Sequence, residues 1–209
     1  MPHKNKHDVL TVYSDADGVC INWLQGFIDY MDTIGFTAEH DRPTLFAMND
    51  IFLNVAKPWE YIHDYQTSEI YRNIRSYDDA KLAFRKIEQL GGEVVIVSSC
   101  GKDKKIVESR MHQIESEFGT SVKDVILLDL GASKLETLKQ LPSGIFIDDQ
   151  GKIALEGAQS GHRAIIRNQS YNINEHHPDV HRIHNMAKIS QAIEENIAWK
   201  MMEETPTLT

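Results

Sequence analysis

Sulfur is scarce in this sequence. Its 209 residues hold two cysteines, Cys20 and Cys100, with no C-x-x-C spacing, so a disulfide framework is excluded and buried free thiols are expected. Long apolar runs are missing too: none approaches the ~18 residues that cross a bilayer. The opening MPHKNKHD is basic, but no apolar core or small-residue cleavage site follows it. The expectation is a cytoplasmic protein with no membrane partner. Positive charge is in deficit, 22 basic against 31 acidic side chains, for a formal net charge of −9. Such a field repels nucleic acid polymers. A small phosphorylated molecule is less affected, because a lysine and a metal ion can neutralise it locally. Internal repeats and low-complexity tracts are absent.

What is present reads as a folded α/β chain. Hydrophobic residues make up 41% and charged residues 25%, the balance of a globular protein. Apolar strand-like runs alternate with amphipathic helical ones, as in a parallel sheet covered by helices. The runs at Val9–Tyr13, Glu93–Val97, Val125–Leu128, Ile145–Ile147 and Ala164–Ile166 read as strands. Helices are expected over Ile21–Met31, Asp78–Leu90, Lys102–Phe118, from an N-cap at Ser133 through Leu138, and over Ala187–Trp199, with a frayed tail from Glu203. Gly35 to Ser76 breaks the alternation, with Pro43, Pro58 and many aromatics. It is expected to be a small, mostly helical cap (35–76) inserted into a core made of 1–34 and 77–209.

Polar signals follow four of the strands: Asp15-Ala16-Asp17-Gly18, Ser98-Ser99, Lys134 and Asp148-Asp149. In an open α/β sheet the crevice beyond the carboxyl ends of the strands binds ligands, so these groups are expected to meet. Taken singly, each has a bland explanation. An acidic turn, a helix N-cap, a solvated lysine and a serine ending a strand are all common. Their combination in this order is not. A carboxylate can act as the nucleophile in covalent catalysis, and a second one can protonate a leaving oxygen and then activate water. Gly18 allows the sharp turn that aims backbone N–H groups at phosphate oxygens.

The order DxDG…S…K…DD resembles that of the haloacid dehalogenase superfamily of aspartyl phosphotransferases. Four segments, VSSCGKDKK, GASKLETL, IFIDDQGKIALEGAQSGHRAIIRNQSYN and the closing RIHNMAKISQAI, resemble the 5′(3′)-deoxyribonucleotidases more narrowly. In that family the last of these is a strand-to-helix close. The resemblance implies a Rossmann-like parallel sheet with helices on both faces and hydrolysis of a phosphomonoester, by likeness a deoxynucleoside monophosphate. Asp15 becomes the nucleophile and Asp17 the acid and base. Ser98, Ser99 and Lys134 become the phosphate-binding groups, with Lys134 also screening charge. Mg²⁺ is implied as cofactor, held by Asp15, Asp148 and the backbone carbonyl of Asp17, with Asp149 orienting water or metal from behind. Phe46 and Trp59 are candidates to stack on a base.

Other readings stay open on the sequence. Lys102, Lys104 and Lys105 read as a solvated helix face, with phosphate contact as the alternative. His176, His177, His181 and His184 lack the usual zinc spacing and read as surface. A dehalogenase needs no second acid at Asp17, whereas a phosphomutase fits the same residues. A signalling receiver would place its acceptor after the third strand, where Asp129 stands. A non-catalytic nucleotide-binding module is the last alternative.

Overall fold

The computed structural model describes residues 10–194. Its six strands are β1 (Thr11–Ser14), β2 (Glu93–Ser98), β3 (Asp124–Leu127), β4 (Ile145–Asp148), β5 (Arg163–Arg167) and β6 (Val180–Ile183). They form one sheet in the order β3-β2-β1-β4-β5-β6 with every pairing parallel. The order reverses between β1 and β4, which creates a crevice at their carboxyl ends. This is the Rossmann-like α/β architecture expected from the alternation, and it differs from the 2-1-3-4-5 order of receiver domains.

Strand side chains alternate between faces, and here both faces are dry. Val12, Val94, Ile96, Ile145 and Ile147 pack on one side with Phe84, Ile87, Ile106 and Phe118. These last four come from α4 (Asp78–Gln89) and α5 (Lys104–Phe118). Tyr13, Val95, Val97 and Phe146 pack on the other side with Leu138 and Ile153, from α6 (Leu135–Gln140) and α7 (Gly151–Gln159). Burial on both faces explains why the strands read as continuous apolar runs rather than alternating ones.

The segment 35–76 holds a 3₁₀ turn at Pro58–Tyr61, α2 (Ile62–Gln66) and α3 (Glu69–Arg72), with turns between them. It packs against α1 (Trp23–Thr33) through aromatic rings. Phe27 meets Phe52 and Tyr65 edge-on at 5.8 and 5.4 Å, and the Tyr65 hydroxyl donates to the Trp23 carbonyl at 3.1 Å. The chain returns to the core through an antiparallel bridge between Ile21 and Ser76.

Local differences from the sequence expectation have physical causes. Helix α5 starts at Lys104 because the Asp103 carboxylate caps it, accepting from the Lys105 and Ile106 amides. Helix α6 starts after Lys134, and its first amides donate to the distant Glu156 carboxylate at 2.7 and 3.1 Å. Strand β6 is implied only by the resemblance, since an edge strand reading Val-His-Arg-Ile buries little. Residues 187–194 are helical. The start of the first expected strand at Val9, the last helix beyond 194 and the tail from Glu203 lie outside the described residues.

Candidate active site

The topology puts Asp15 and Asp148 side by side. Ser14 pairs with Ile147 in the register of β1 and β4, and the Asp15 amide donates to the Ile147 carbonyl at 2.9 Å. Carboxylate oxygens of Asp15, Asp148 and Asp149 all lie within 4.8 Å of one another, and the three residues are buried. Lys134 enters this cluster from the start of α6. Its Nζ donates to Asp15 Oδ1 at 2.6 Å and Asp148 Oδ2 at 2.8 Å. Four of the groups singled out in the sequence therefore meet at one point.

The electrostatics follow from burial. Desolvation pushes the Asp148 carboxyl up to about 6, with Lys134 opposing and Asp15 adding to the rise. Desolvation, then the charges of Asp148 and Asp15, hold Asp149 well above the ordinary carboxylate range. Desolvation works against the Lys134 ammonium, but Asp148 and Asp15 outweigh it and raise its pKa. One ammonium cannot balance three buried carboxylates. That charge deficit and the hard oxygen donors fit a divalent cation such as Mg²⁺. Asp149 belongs to this cluster by distance, although the sequence resemblance places it only behind the ligands. The Asp17 carboxylate, by contrast, is paired elsewhere.

Backbone and second-layer contacts fix the acids. Gly18 has φ +70, and a Cβ there would collide with the Asp149 carboxylate and the Tyr171 hydroxyl. Tyr171 donates to Asp149 Oδ2, and the Asn172 amide donates to the Asp149 carbonyl at 2.6 Å. Asp17 accepts from Arg110 Nη2 at 2.5 Å. Burial raises the Asp17 pKa while Arg110 counters it, and the net direction is up. Sequence reasoning missed Arg110, Tyr171 and Glu156. A signal for Arg110 existed: it shares the buried stripe of α5 with Ile106, Gln113, Ile114 and Glu117, and a charge on such a stripe needs a partner.

Asp15, Asp17, Ser98, Ser99, Lys134, Asp148 and Asp149 line one cavity of about 580 Å³. Trp23, Phe46, Met48, Trp59 and Ile62 form its apolar wall. Phe46 stands edge-on to Tyr171 at 5.7 Å, and the Ser170 hydroxyl donates to the Pro43 carbonyl at 2.6 Å. The segment 43–46 thus rests on the loop that steadies Asp149.

Other sequence candidates fall away from this point. Asp129 is paired with Lys102 at 2.8 Å on an exposed surface, remote in role from a buried acceptor. Lys104 pairs with Glu108 one helical turn on. The histidines at 176, 177, 181 and 184 join no metal-type cluster among the described residues. Cys20 and Cys100 are free and buried.

No protein-family model matches this chain, and no curated protein matches it. Solved structures do resemble it. A predicted phosphatase from Clostridium acetobutylicum superposes with TM-score 0.62 at 14% identity, over 90% of this chain and 99% of that one. A haloacid dehalogenase-like hydrolase from Streptococcus pneumoniae gives 0.58 at 12%, over 88% and 98%. A dehalogenase gives 0.57 at 12%, over 88% and 97%. The fold is therefore the one used by haloacid dehalogenase-type hydrolases. Among the described residues, no helix is long and apolar enough to cross a membrane.

Proposed function

We propose that this chain is a magnesium-dependent phosphomonoesterase acting through an aspartyl phosphate, with a nucleoside monophosphate as substrate. The observation that carries the reading is Lys134 bridging Asp15 and Asp148 at the crevice where the sheet order reverses, with Asp17 lining the same cavity. Asp15 attacks phosphorus as the bond to the leaving oxygen breaks, and Asp17 gives that oxygen its proton. Water then takes the phosphoryl group from Asp15, losing its proton to Asp17. Ser98 and the Lys134 ammonium offset charge on the phosphoryl oxygens. Asp15, Asp148 and Asp149, with the Asp17 carbonyl as a further donor, would hold a Mg²⁺ ion, which would neutralise charge on the phosphate.

The substrate reading rests on the wall of the cavity. The residues that 35–76 contributes to it are Pro43, Phe46, Ala47, Met48, Trp59, Ile62 and Gln66, none of them charged. A flat neutral base suits that surface, and stacking on an aromatic is worth ~1–3 kcal/mol. Within 35–76 a second anionic group, as on phosphoglycolate, finds no cation; the cavity's lysines, Lys134 and Lys152, lie outside that segment. The segment 35–76, packed on α1, is proposed as the unit that selects substrate. A dehalogenase would share Asp15 but has no use for the acid at Asp17.

The test is a phosphate-release panel with Mg²⁺. Deoxynucleoside monophosphates should exceed phosphoglycolate and sugar phosphates by at least roughly tenfold in kcat/KM, and Trp59→Ala or Phe46→Ala should erase that gap. Asp15→Asn should abolish turnover. If Asp15→Asn turns over within about tenfold of wild type, the nucleophile is refuted. Equal turnover of phosphoglycolate would refute only the nucleotide.

A further inference from the structure

Among the described residues Arg110 is the bulkiest fully buried side chain, at 0% exposure. An arginine leaves water only where its charge is matched, and the carboxylate that matches this one is Asp17. Its Nη2 donates to Asp17 Oδ2 at 2.5 Å and to the Tyr71 hydroxyl at 2.8 Å, and its Nη1 to Gln113 Oε1 at 2.9 Å. Gln113 in turn donates to the Tyr71 carbonyl. The guanidinium therefore joins three elements: the turn after β1, helix α5 and helix α3 of the inserted segment.

The two oxygens of Asp17 are not equivalent. Oδ2 is fixed by Arg110, whereas Oδ1 is buried without a hydrogen-bond partner, in a residue that lines the cavity with Asp15. Oδ1 offers no surface of its own, so the Arg110 contact at Oδ2 is what sets the carboxylate's orientation beside the cavity. The geometry points to Arg110 as the positioning residue of the acid/base: it clamps Asp17 by Oδ2, fixes the carboxyl at the cavity that Asp15 also lines, and is itself braced by Tyr71. This rests on the phosphatase reading. The proton on the Asp17 carboxyl passes to the departing oxygen as the P–O bond breaks, leaving Asp17 a carboxylate with its counter-charge in contact. In the second step the Asp17 carboxylate takes a proton from the attacking water.

If Arg110 merely pins α3 to α5, its loss lowers turnover of every ester alike. A positioning role separates esters by how much their leaving group needs a proton. The experiment compares a primary alkyl phosphate with 4-nitrophenyl phosphate in the full chain with Mg²⁺, for Arg110→Met, Arg110→Lys and Tyr71→Phe. For Arg110→Met, kcat on the alkyl ester should fall at least about hundredfold, while the aryl ester loses less than about tenfold. KM should hold on both esters. Arg110→Lys should recover part of the alkyl activity, and Tyr71→Phe should show the same selective loss, smaller in size. If Arg110→Met does not fold, the other two variants decide by the same alkyl-to-aryl ratio. An unchanged ratio in folded variants overturns the role of Arg110 and leaves the phosphatase standing. A wild type that releases phosphate from neither ester overturns both.

Discussion

The Nζ of Lys134 stands 2.6 Å from Asp15 and 2.8 Å from Asp148, so one side chain from the start of α6 joins the ends of two neighbouring strands. Its own backbone amide is held by Glu156 of α7 at 2.7 Å. Position and charge are thus set from the same side of the sheet.

Lys134→Met should leave the carboxylates without their protein counter-charge. Breaking a buried pair costs about 3–5 kcal/mol, roughly 10 °C in Tm for a chain of this size. Added Mg²⁺ should raise the melting temperature of the variant more than that of wild type. A thermal melt with and without Mg²⁺ tests this; an unshifted Tm would show that the bridge carries no stability.

Chelation should silence phosphate release and Mg²⁺ should restore it. Ca²⁺ should substitute poorly, because its larger and looser coordination misplaces the phosphate. Asp148→Ala should raise the Mg²⁺ requirement sharply or end activity. Titrating Mg²⁺ against initial rate reads both effects, and full activity in excess chelator contradicts them.

Gly18→Ala should damage catalysis beyond its cost in stability. Positive φ costs a residue with a Cβ about 1–2 kcal/mol, and here the Cβ also meets Asp149 and Tyr171. Gly35 is the control, since it has φ +90 with nothing within 4 Å of an added Cβ. Paired kinetics and melts should show both alanines destabilising and only the one at position 18 inactivating.

Glu117 joins α5 to the end of the segment 35–76. It accepts from the Ser76 amide and hydroxyl at 3.1 and 2.6 Å and from Lys81 at 3.3 Å. Burial opposes its charge, but the bonds from Ser76 and Lys81 prevail and its pKa is lowered. Its contribution is therefore full above the unfolded-state value of about 4.3 and fades as pH falls through the lower folded-state value. Glu117→Gln should cost about 1–2 kcal/mol at pH 7, and the deficit should shrink below about pH 4. A deficit that stays constant across urea melts from about pH 7 to about pH 3.5 would contradict this account.

The sheet and its strand-end acids were legible because both-face burial makes apolar runs and because the polar residues stand where those runs stop. Asp15, Ser98, Lys134 and Asp148 could be placed that way without any partner in view. Tyr171 could not, since a tyrosine in a loop carries no sign that its hydroxyl meets Asp149. Glu156 was hidden for the same reason: it caps a helix from 22 residues away in sequence. Strand β6 exposes His181 and leaves Arg182 half-buried, so its pattern lacks the apolar signal that marked the other strands.

The uncharged cavity wall supplied by 35–76 has a consequence for how such a protein can change over generations. Substitutions at Phe46, Met48, Trp59 or Ile62 alter what fits without touching a charged group at the strand ends. On the proposed reading, preference for one leaving group over another can therefore drift while the strand-end acids are inherited intact. Tyr71 differs from these wall residues: it belongs to the same segment, yet its hydroxyl holds Arg110. At this position the segment bears on the turn after β1 as well as on the cavity wall.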